Sequence, residues 1–306
     1  MKDAMRRRHF GFSERGLVYS LRSTTTVSLH NRQHLHSQLI NIRIGTLSPY
    51  LVRVVSVRPS FEKCLVCKKR RKRKAYQFCS KRCTDIAAKK APQLLRVPKN
   101  HIMYKDIAKS FRDTWNSNTH RPAITRIYLI TWKKKLRSSF DNYRANIAKK
   151  LKGGKKPREV KRFRSEARMC RLGDPDRSTK LCKRQQCHLC RAIATGFKPT
   201  LDYKRSLVRK GDHRRTRFGG GIYMAPAFSM AFRYADNGNT GSKYKAVLST
   251  RAVLGKPQKV VSDSRSRLKS NPGYDSLEAH PPDGGPSELV VYNYNSVRPA
   301  YLLILK

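Results

Sequence analysis

Apolar residues recur along the middle of the chain with two different periods, and the period decides which element is predicted. Over residues 104–115 they follow a helical spacing that puts Ile107 and Phe111 on one face, so we predict a helix there. Residues 124–132 follow a proline and are rich in isoleucine, threonine and tyrosine, which predicts a strand. A charged helix is then expected over residues 140–151, where two glycines end the pattern.

The C-terminal third has the pattern of short strands separated by turns. Upstream of it, residues 153–168 are strongly basic, and we expect a loop there. Turn-forming residues separate the apolar runs at two places, residues 236–241 and 281–286. Four runs fit strands: residues 221–224, 244–254, 289–293 and 301–305. Helices followed by strands predict an α+β fold rather than alternating β–α–β units.

Composition divides the chain into three parts. Residues 1–60 carry no acidic residue after Glu14, which is typical of a disordered basic arm or of a mitochondrial transit peptide. Residues 61–98 hold the first cysteines and are expected to form a small zinc-binding module. Residues 99–306 are expected to form the main domain. No stretch approaches the roughly 20 apolar residues of a membrane-spanning helix, so membrane insertion is not expected.

The charge balance is strongly basic, with 69 lysines and arginines against 19 acidic residues and a formal net charge of +50. Such a chain suits an acidic partner, which leaves nucleic acid, an anionic membrane surface or acidic protein. The densest run is Lys68 through Lys74, seven consecutive basic residues. Such a run is typical of nuclear targeting or of contact with a phosphate backbone, and also of a solvated loop tip. The expected compartment is the nucleus or the cytoplasm, and the acid-poor N-terminus keeps the mitochondrion as an alternative.

The eight cysteines indicate metal sites, because they fall into two separate groups of four. Tetrahedral zinc needs four soft ligands, usually presented as two short-spaced pairs. The alternative is four disulfides in a secreted chain, but zinc-type spacing suits disulfides poorly and the chain does not open on a secretory signal with an apolar core. We therefore predict two zinc sites. Their ligands would be Cys64, Cys67, Cys79 and Cys83 in one site and Cys170, Cys182, Cys187 and Cys190 in the other.

Several motifs in the second half, taken in order, resemble the catalytic domain of the poly(ADP-ribose) polymerase family. They are most similar to its fungal form, in which a Cys-x2-Cys…Cys-x3-Cys module precedes a catalytic domain with a second cysteine cluster. The resemblance covers about residues 61–306. It rests on the strings CRLGD (170–174), CHLC (187–190), RFGGGIY (217–223), YKAVL (244–248), GYDS (273–276), SELVVY (287–292) and RPAYL (298–302), and on Tyr234, eleven residues after Tyr223.

The resemblance implies a split sheet with helices and a transferase that cleaves NAD at its nicotinamide–ribose bond. ADP-ribose would pass to a protein acceptor, or to the protein itself, and the zinc would be structural. Tyr223 matches the tyrosine that packs on the nicotinamide and its ribose, and Tyr234 matches the second aromatic of that sandwich. Glu288 matches the glutamate that holds the ribose hydroxyls. Gly221 ends a run of three glycines that suits close approach of the backbone to a ligand.

The chain departs from the family pattern where a His-Gly-Thr motif is expected. Arg164 stands in place of the histidine that anchors the adenine-side ribose, and Ser165 replaces the glycine that grips the nicotinamide amide. Ala231 replaces a serine that binds the same amide. Each hydrogen bond lost from a buried polar group costs about 1–3 kcal/mol. Two hypotheses stay open: an active ADP-ribosyltransferase with Glu288 and Tyr223 as catalytic residues, or an inactive pseudoenzyme whose basic zinc modules bind nucleic acid or protein.

Overall fold

The computed structural model describes residues 62–73, 76–151, 155–175, 178–214, 216–280, 284 and 287–306. All of them belong to one compact unit, Val57–Lys306. The predictions for residues 1–60, for the two glycines after residue 152 and for most of the turn at 281–286 lie outside the described residues. Among the described helices, none combines the length and the apolar character that crossing a lipid bilayer requires.

The structure is of the α+β class, as predicted. It contains six α-helices in the described residues: α1 (Lys81–Lys89), α2 (Ile102–Asp113), α3 (Lys134–Lys150), α4 (His188–Thr195), α5 (Lys198–Arg209) and α6 (Phe228–Arg233). The described strands are β1 (Leu94–Arg96), β2 (Ile124–Ile130), β3 (Glu159–Arg164), β4 (Ile222–Met224), β5 (Lys245–Val253), β6 (Pro257–Val260), β7 (Ser276–Ala279), β8 (Glu288–Val291) and β9 (Val297–Leu305). A short 3₁₀ turn, Tyr294–Ser296, leads into β9.

Two sheets form the framework. The larger has five strands in the order β1-β2-β9-β5-β3, and every neighbouring pair in it is antiparallel. Its centre is apolar because β9 is buried along almost its whole length. The smaller sheet has four strands in the order β4-β8-β7-β6, with β6 and β7 parallel and the other pairs antiparallel.

The sheets are joined where β3 ends and β4 ends. Phe163 and Ala225 exchange two backbone hydrogen bonds, Phe163 N to Ala225 O at 2.9 Å and Ala225 N to Phe163 O at 2.8 Å. The side chain of Phe163 is buried and packs edge-on against Phe228 at the start of α6, with 4.9 Å between ring centroids. This junction fixes the backbone of the residues that follow β3.

The predicted helix over 104–115 is confirmed as α2. Its buried side chains, Met103, Ile107, Ala108 and Phe111, recur at the spacing that places them on one face. His101 caps it, since its Nδ1 accepts a hydrogen bond from the amide of Met103 at 3.1 Å. The strand over 124–132 is confirmed as β2, and the charged helix as α3, which begins six residues before the predicted start.

The loop predicted over residues 153–168 is wrong, because this segment contains β3. Only Phe163 is fully buried in this strand, and its other residues carry charges or lie half-exposed, so the sequence lacks a clear alternating pattern. Helices α4, α5 and α6 lie between strands, so the helices are less segregated than predicted. The four predicted C-terminal strands are present as β4, β5, β8 and β9, while β6 and β7 were not predicted.

The described residues between 62 and 98 hold the first four cysteines, and this first cysteine segment packs directly on the larger sheet. Phe78 and Ala87 share one buried core cluster with Phe163 and Phe228. Strand β1, which follows α1, pairs with β2 at the edge of the five-stranded sheet. His101 completes the connection, because its Nε2 lies 3.0 Å from the carbonyl oxygen of Lys63.

Candidate functional site

A cavity of about 730 Å³ lies beside the junction of the two sheets. Its walls come from the end of β3, from α5, from β4, from α6 and from the first residue of β8. The volume is in the range of small-molecule and cofactor sites. Five of the six residues predicted to act on NAD line it, namely Arg164, Ser165, Tyr223, Tyr234 and Glu288.

Gly221, the sixth of these residues, is not among the cavity-lining residues. It packs instead against the smaller sheet, where an added Cβ would lie 2.3 Å from Cγ1 of Val290 and 3.1 Å from the ring of Tyr292. Its neighbour Gly219 has a φ of +78°, and a Cβ there would lie 1.9 Å from the carbonyl oxygen of Arg267. The glycines therefore serve backbone packing behind the cavity wall.

Arg164 is held by two hydrogen bonds. Its Nε donates to Oε1 of Glu166 at 2.7 Å, and its Nη1 donates to the carbonyl oxygen of Tyr223 at 2.6 Å. The Arg164 and Glu166 side chains are 11% and 5% exposed, so the pair is largely removed from water. The same Glu166 oxygen accepts from the Thr200 hydroxyl at 3.1 Å, and the guanidinium lies 5.8 Å from the ring centre of Phe197. The cavity wall thus contains a buried ion pair.

Ser165 follows β3 and turns its side chain toward α6. Its hydroxyl donates to the carbonyl oxygen of Ala231 at 2.7 Å. Ala231 also lines the cavity and is buried. The two positions at which the resemblance implies a glycine and a serine are therefore in contact, and the Ser165 hydroxyl is already bound within the protein.

Tyr223 lies in β4 with its hydroxyl bound to the preceding turn. The hydroxyl donates to the carbonyl oxygen of Gly219 at 2.7 Å and accepts from the amide of Phe218 at 2.8 Å. Burial raises the pKa of Tyr223 well above its ordinary value, so the phenol stays neutral. Lys204 of α5 lies 5.5 Å from the ring centre. Tyr234, in contrast, sits at the rim just after α6 and is 68% exposed.

Glu288 is the first residue of β8, and its carboxyl faces the same cavity. Burial raises the pKa of this carboxyl above its ordinary value, while the nearby cations, first Arg217 and then Arg164, act in the opposite direction. Within the part of the chain that the structure describes, no hydrogen bond or ion pair engages the Glu288 side chain. A carboxylate in this position is available to a ligand.

The predicted cysteine groups are both brought together. In each group one sulfur from every cysteine lies within 4.8 Å of the other three, and all eight cysteines are free. Neighbouring sulfurs in the first group, Cys67–Cys79 and Cys79–Cys83, are 3.6 and 3.5 Å apart. Four sulfurs bound to tetrahedral zinc at about 2.3 Å lie about 3.8 Å from one another. Both groups are compatible with zinc, and the disulfide alternative does not fit.

The second cysteine group lies next to the cavity wall, because Ala167 and His188 line the cavity although none of the four cysteines does. The amide of Met169 donates to Sγ of Cys187 at 3.4 Å, and the amide of Leu189 donates to the carbonyl oxygen of Ala167 at 3.0 Å. His188, between two cysteines of this group, lines the cavity and lies edge-on to Tyr203 with 5.8 Å between ring centroids. A metal held by this group would fix the segment that carries Ala167.

Sequence reasoning missed several lining residues. His188 had a signal, since it stands between Cys187 and Cys190. Glu166 had a weaker one, its position next to Ser165. The α5 residues Thr200, Tyr203 and Lys204 had no signal, because that helix was not predicted.

The described part of the basic run, residues 68–73, lies between the two cysteine pairs of the first cysteine segment. Residues 68–71 are exposed, as predicted for a solvated loop tip. Lys72 is half-buried, and its Nζ donates to the carbonyl oxygens of Arg73 and Tyr76, both at 3.0 Å. Lys74 lies outside the described residues.

Neither a protein-family model nor a curated protein sequence matches this chain.

Proposed function

We propose that the 730 Å³ cavity binds NAD and that the protein is an ADP-ribosyltransferase, releasing nicotinamide and transferring ADP-ribose to a protein acceptor or to itself. The observation that carries this proposal is the convergence of Arg164, Tyr223, Tyr234 and Glu288 on one cavity from four separate segments. The two joined sheets support, at the level of fold class, the split sheet that the family resemblance implies.

Glu288 is the residue assigned to the chemical step. Cleavage of the nicotinamide–ribose bond builds positive charge on the ribose, and a fixed carboxylate stabilises that charge more in the transition state than in the ground state. The low-dielectric surroundings that raise the pKa of Glu288 also strengthen this attraction. Arg217 and Arg164 favour the charged form that the step requires.

The aromatic residues are assigned to the nicotinamide. Tyr223 offers a ring whose position is fixed by two hydrogen bonds to the turn at Phe218 and Gly219. Tyr234 offers an accessible ring at the rim. Two rings on one cavity suit a flat heteroaromatic ligand, which gains offset stacking on each face.

Arg164 is assigned to the ribose or the pyrophosphate of NAD. A guanidinium has five N–H donors, and the protein uses one on Nε and one on Nη1. The donors that remain can bind hydroxyls or phosphate oxygens in place of the histidine that the family places here.

The test is incubation of zinc-loaded protein with labelled NAD, following both free nicotinamide and label on protein. Glu288→Gln keeps the shape of the side chain and should lower both signals about 10²–10³-fold, the usual effect of losing one preorganised charge contact. Glu278→Gln, on β7 and outside the cavity, is the matched control and should leave both unchanged. Undiminished transfer by Glu288→Gln would remove Glu288 from the site.

A second function, binding without catalysis, is favoured by one observation. Arg164, which stands where the resemblance implies a histidine, is already paired with Glu166 within the protein itself. In that case the basic zinc segments would bind nucleic acid, with affinity falling steeply as salt rises. Folded, zinc-loaded protein that releases no nicotinamide and binds nucleic acid in a salt-dependent way would support this function over the first.

The two cysteine groups are proposed to hold one structural zinc ion each. The donor set is four thiolates in both groups, which suits a closed tetrahedral site without an open position for catalysis. Neither group includes a cavity-lining cysteine, so the ions would stabilise the chain rather than contact NAD.

A further inference from the structure

A second cavity, of about 440 Å³, lies between the first cysteine segment and the five-stranded sheet. It shares no lining residue with the first cavity. Its floor is the sheet surface of β3, β5 and β9, and its other walls come from α2, from Lys72 of the basic run and from Tyr76 and Gln77. The lining residues on which the argument depends are Lys72, Tyr76, Lys161, Ser249, Arg251 and Tyr301.

The floor carries two like charges side by side. Lys161 of β3 and Arg251 of β5 are directly opposite in the antiparallel register. Like charges in this position are destabilising unless an anion lies near them. Arg251 is paired with Glu159, another lining residue. Within the described ranges no ion pair reaches Lys161, and the only anion acting on its charge is the other carboxylate of this cavity, that of Asp106 on α2.

Hydroxyl groups lie next to these cations. Ser249 is only 1% exposed, and its Oγ has no hydrogen-bond partner among the described residues. Tyr301 is directly opposite Ser249 in the register of β5 and β9. Burial raises the pKa of Tyr301 to about 12, so its hydroxyl remains a donor at neutral pH. A buried hydroxyl without a partner costs free energy, which a ligand oxygen would recover.

The opposite wall adds a third cation and an aromatic ring. Lys72 is held in the cavity by its hydrogen bonds to the carbonyl oxygens of Arg73 and Tyr76. Tyr76 is 61% exposed, with the Arg73 guanidinium 5.1 Å from its ring centre. An exposed ring beside cations is the combination that stacks on a nucleobase while the cations bind its phosphate.

We propose that this second cavity is a binding site for a nucleotide phosphate, contacted by Lys161, Ser249 and Lys72, with the base on Tyr76. The phosphate is supplied by a free nucleotide or by the 5′-phosphorylated end of a nucleic acid. Both sources present the same dianionic group, which would pair with Lys161 and accept from the Ser249 hydroxyl. The volume is sufficient for one nucleotide.

The experiment is calorimetric titration of the full-length, zinc-loaded protein with thymidine 5′-monophosphate, and with thymidine as the ligand that lacks the phosphate. Thymidine derivatives contain neither nicotinamide nor adenine, so they separate this site from the proposed NAD cavity. Lys161→Met removes the unpaired cation and should weaken binding at least about tenfold. Lys259→Met, an exposed lysine on β6 that lines neither cavity, is the matched control and should bind as the unchanged protein does.

Ser249→Ala is a second variant, with a smaller loss of about threefold to tenfold expected from one neutral hydrogen bond. A parallel titration with a short oligonucleotide, with and without a 5′-phosphate, distinguishes the two sources. The site is assigned to a nucleic-acid end if the 5′-phosphate strengthens binding of the oligonucleotide and this oligonucleotide binds more tightly than thymidine 5′-monophosphate. It is assigned to a free nucleotide if thymidine 5′-monophosphate binds more tightly than the 5′-phosphorylated oligonucleotide. Equal binding of thymidine and its monophosphate, no binding of any phosphate ligand, or undiminished binding by folded Lys161→Met would overturn the proposal.

Discussion

Replacing Glu166 by alanine is expected to destabilise the fold strongly, because it leaves a buried cation without its partner. Glu166 accepts hydrogen bonds from Nε of Arg164 at 2.7 Å and from the Thr200 hydroxyl at 3.1 Å. Both bonds end on the same carboxylate oxygen. Arg164 cannot leave its position easily, since its Nη1 also donates to the carbonyl oxygen of Tyr223 at 2.6 Å.

The magnitude follows from burial. Breaking a buried ion pair by removing one partner costs about 3–5 kcal/mol. The lower value applies here, because Arg164 keeps its bond to Tyr223 and faces a cavity that water can enter. For a compact unit of this size, Val57–Lys306, each kcal/mol shifts Tm by about 2–4 °C. The expected decrease in Tm for Glu166→Ala is therefore about 6–12 °C.

The assay is thermal denaturation of zinc-loaded protein, with two companion variants. Glu278→Ala is the control, because Glu278 is 3.9 Å from a largely exposed Arg158 and should change stability by less than about 1 kcal/mol. The double variant Arg164→Met/Glu166→Leu replaces both charges by apolar groups and should recover most of the loss. The reasoning is refuted if Glu166→Ala has the same Tm as Glu278→Ala, or if the Tm of the double variant is no higher than that of Glu166→Ala.

Three other predictions concern the same part of the molecule. Gly219→Ala should lower the free energy of unfolding measured in urea by about 2–4 kcal/mol, because the added Cβ would meet the Arg267 carbonyl. Gly211 also has a positive φ but faces open space, so Gly211→Ala should lower it by only about 1–2 kcal/mol. Equal losses of stability would contradict the packing argument. Elemental analysis should find two zinc ions per chain and one in Cys187→Ser, and that variant should also bind NAD more weakly; two ions in the variant would exclude Cys187 as a ligand. Burial raises the pKa of Glu288 in the folded state, so ionisation of this carboxyl with rising pH destabilises the fold. Glu288→Gln should therefore raise Tm more at about pH 8 than at about pH 4. A difference in Tm between the variant and the unchanged protein that does not depend on pH would contradict this.

The parts of the fold that the sequence predicts correctly are those that depend on neighbouring residues along the chain. In α2 the buried positions recur with helical spacing, so both the helix and its inward face can be read from the sequence. The cysteine groups are predictable in the same way, because thiolate ligands and their short spacing are local features. The family resemblance and the catalytic roles drawn from it stay predictions.

The parts that were not predicted depend on contacts far away in sequence. Residues 153–168 have the composition of a basic loop, yet β3 forms there because β5, about ninety residues later, provides its hydrogen-bond partners, from Glu159–Val253 to Arg164–Leu248. The role of Glu166 is hidden for the same reason. That role depends on Thr200, which belongs to α5, and the few apolar residues of α5 did not lead to a prediction of this helix.

The position of β1 has a consequence for how the chain can be divided. A fragment that began after Pro98 would lose β1 and leave β2 as a bare strand edge with unpaired amide and carbonyl groups. It would also expose the apolar surface that Phe78 and Ala87 cover beside Phe163. Unprotected edges and apolar surface are what drive self-association of folded domains. The first cysteine segment therefore covers the seven-residue β2 and leaves only the three-residue β1 as the open edge on that side of the larger sheet, and a short edge strand limits pairing with another molecule.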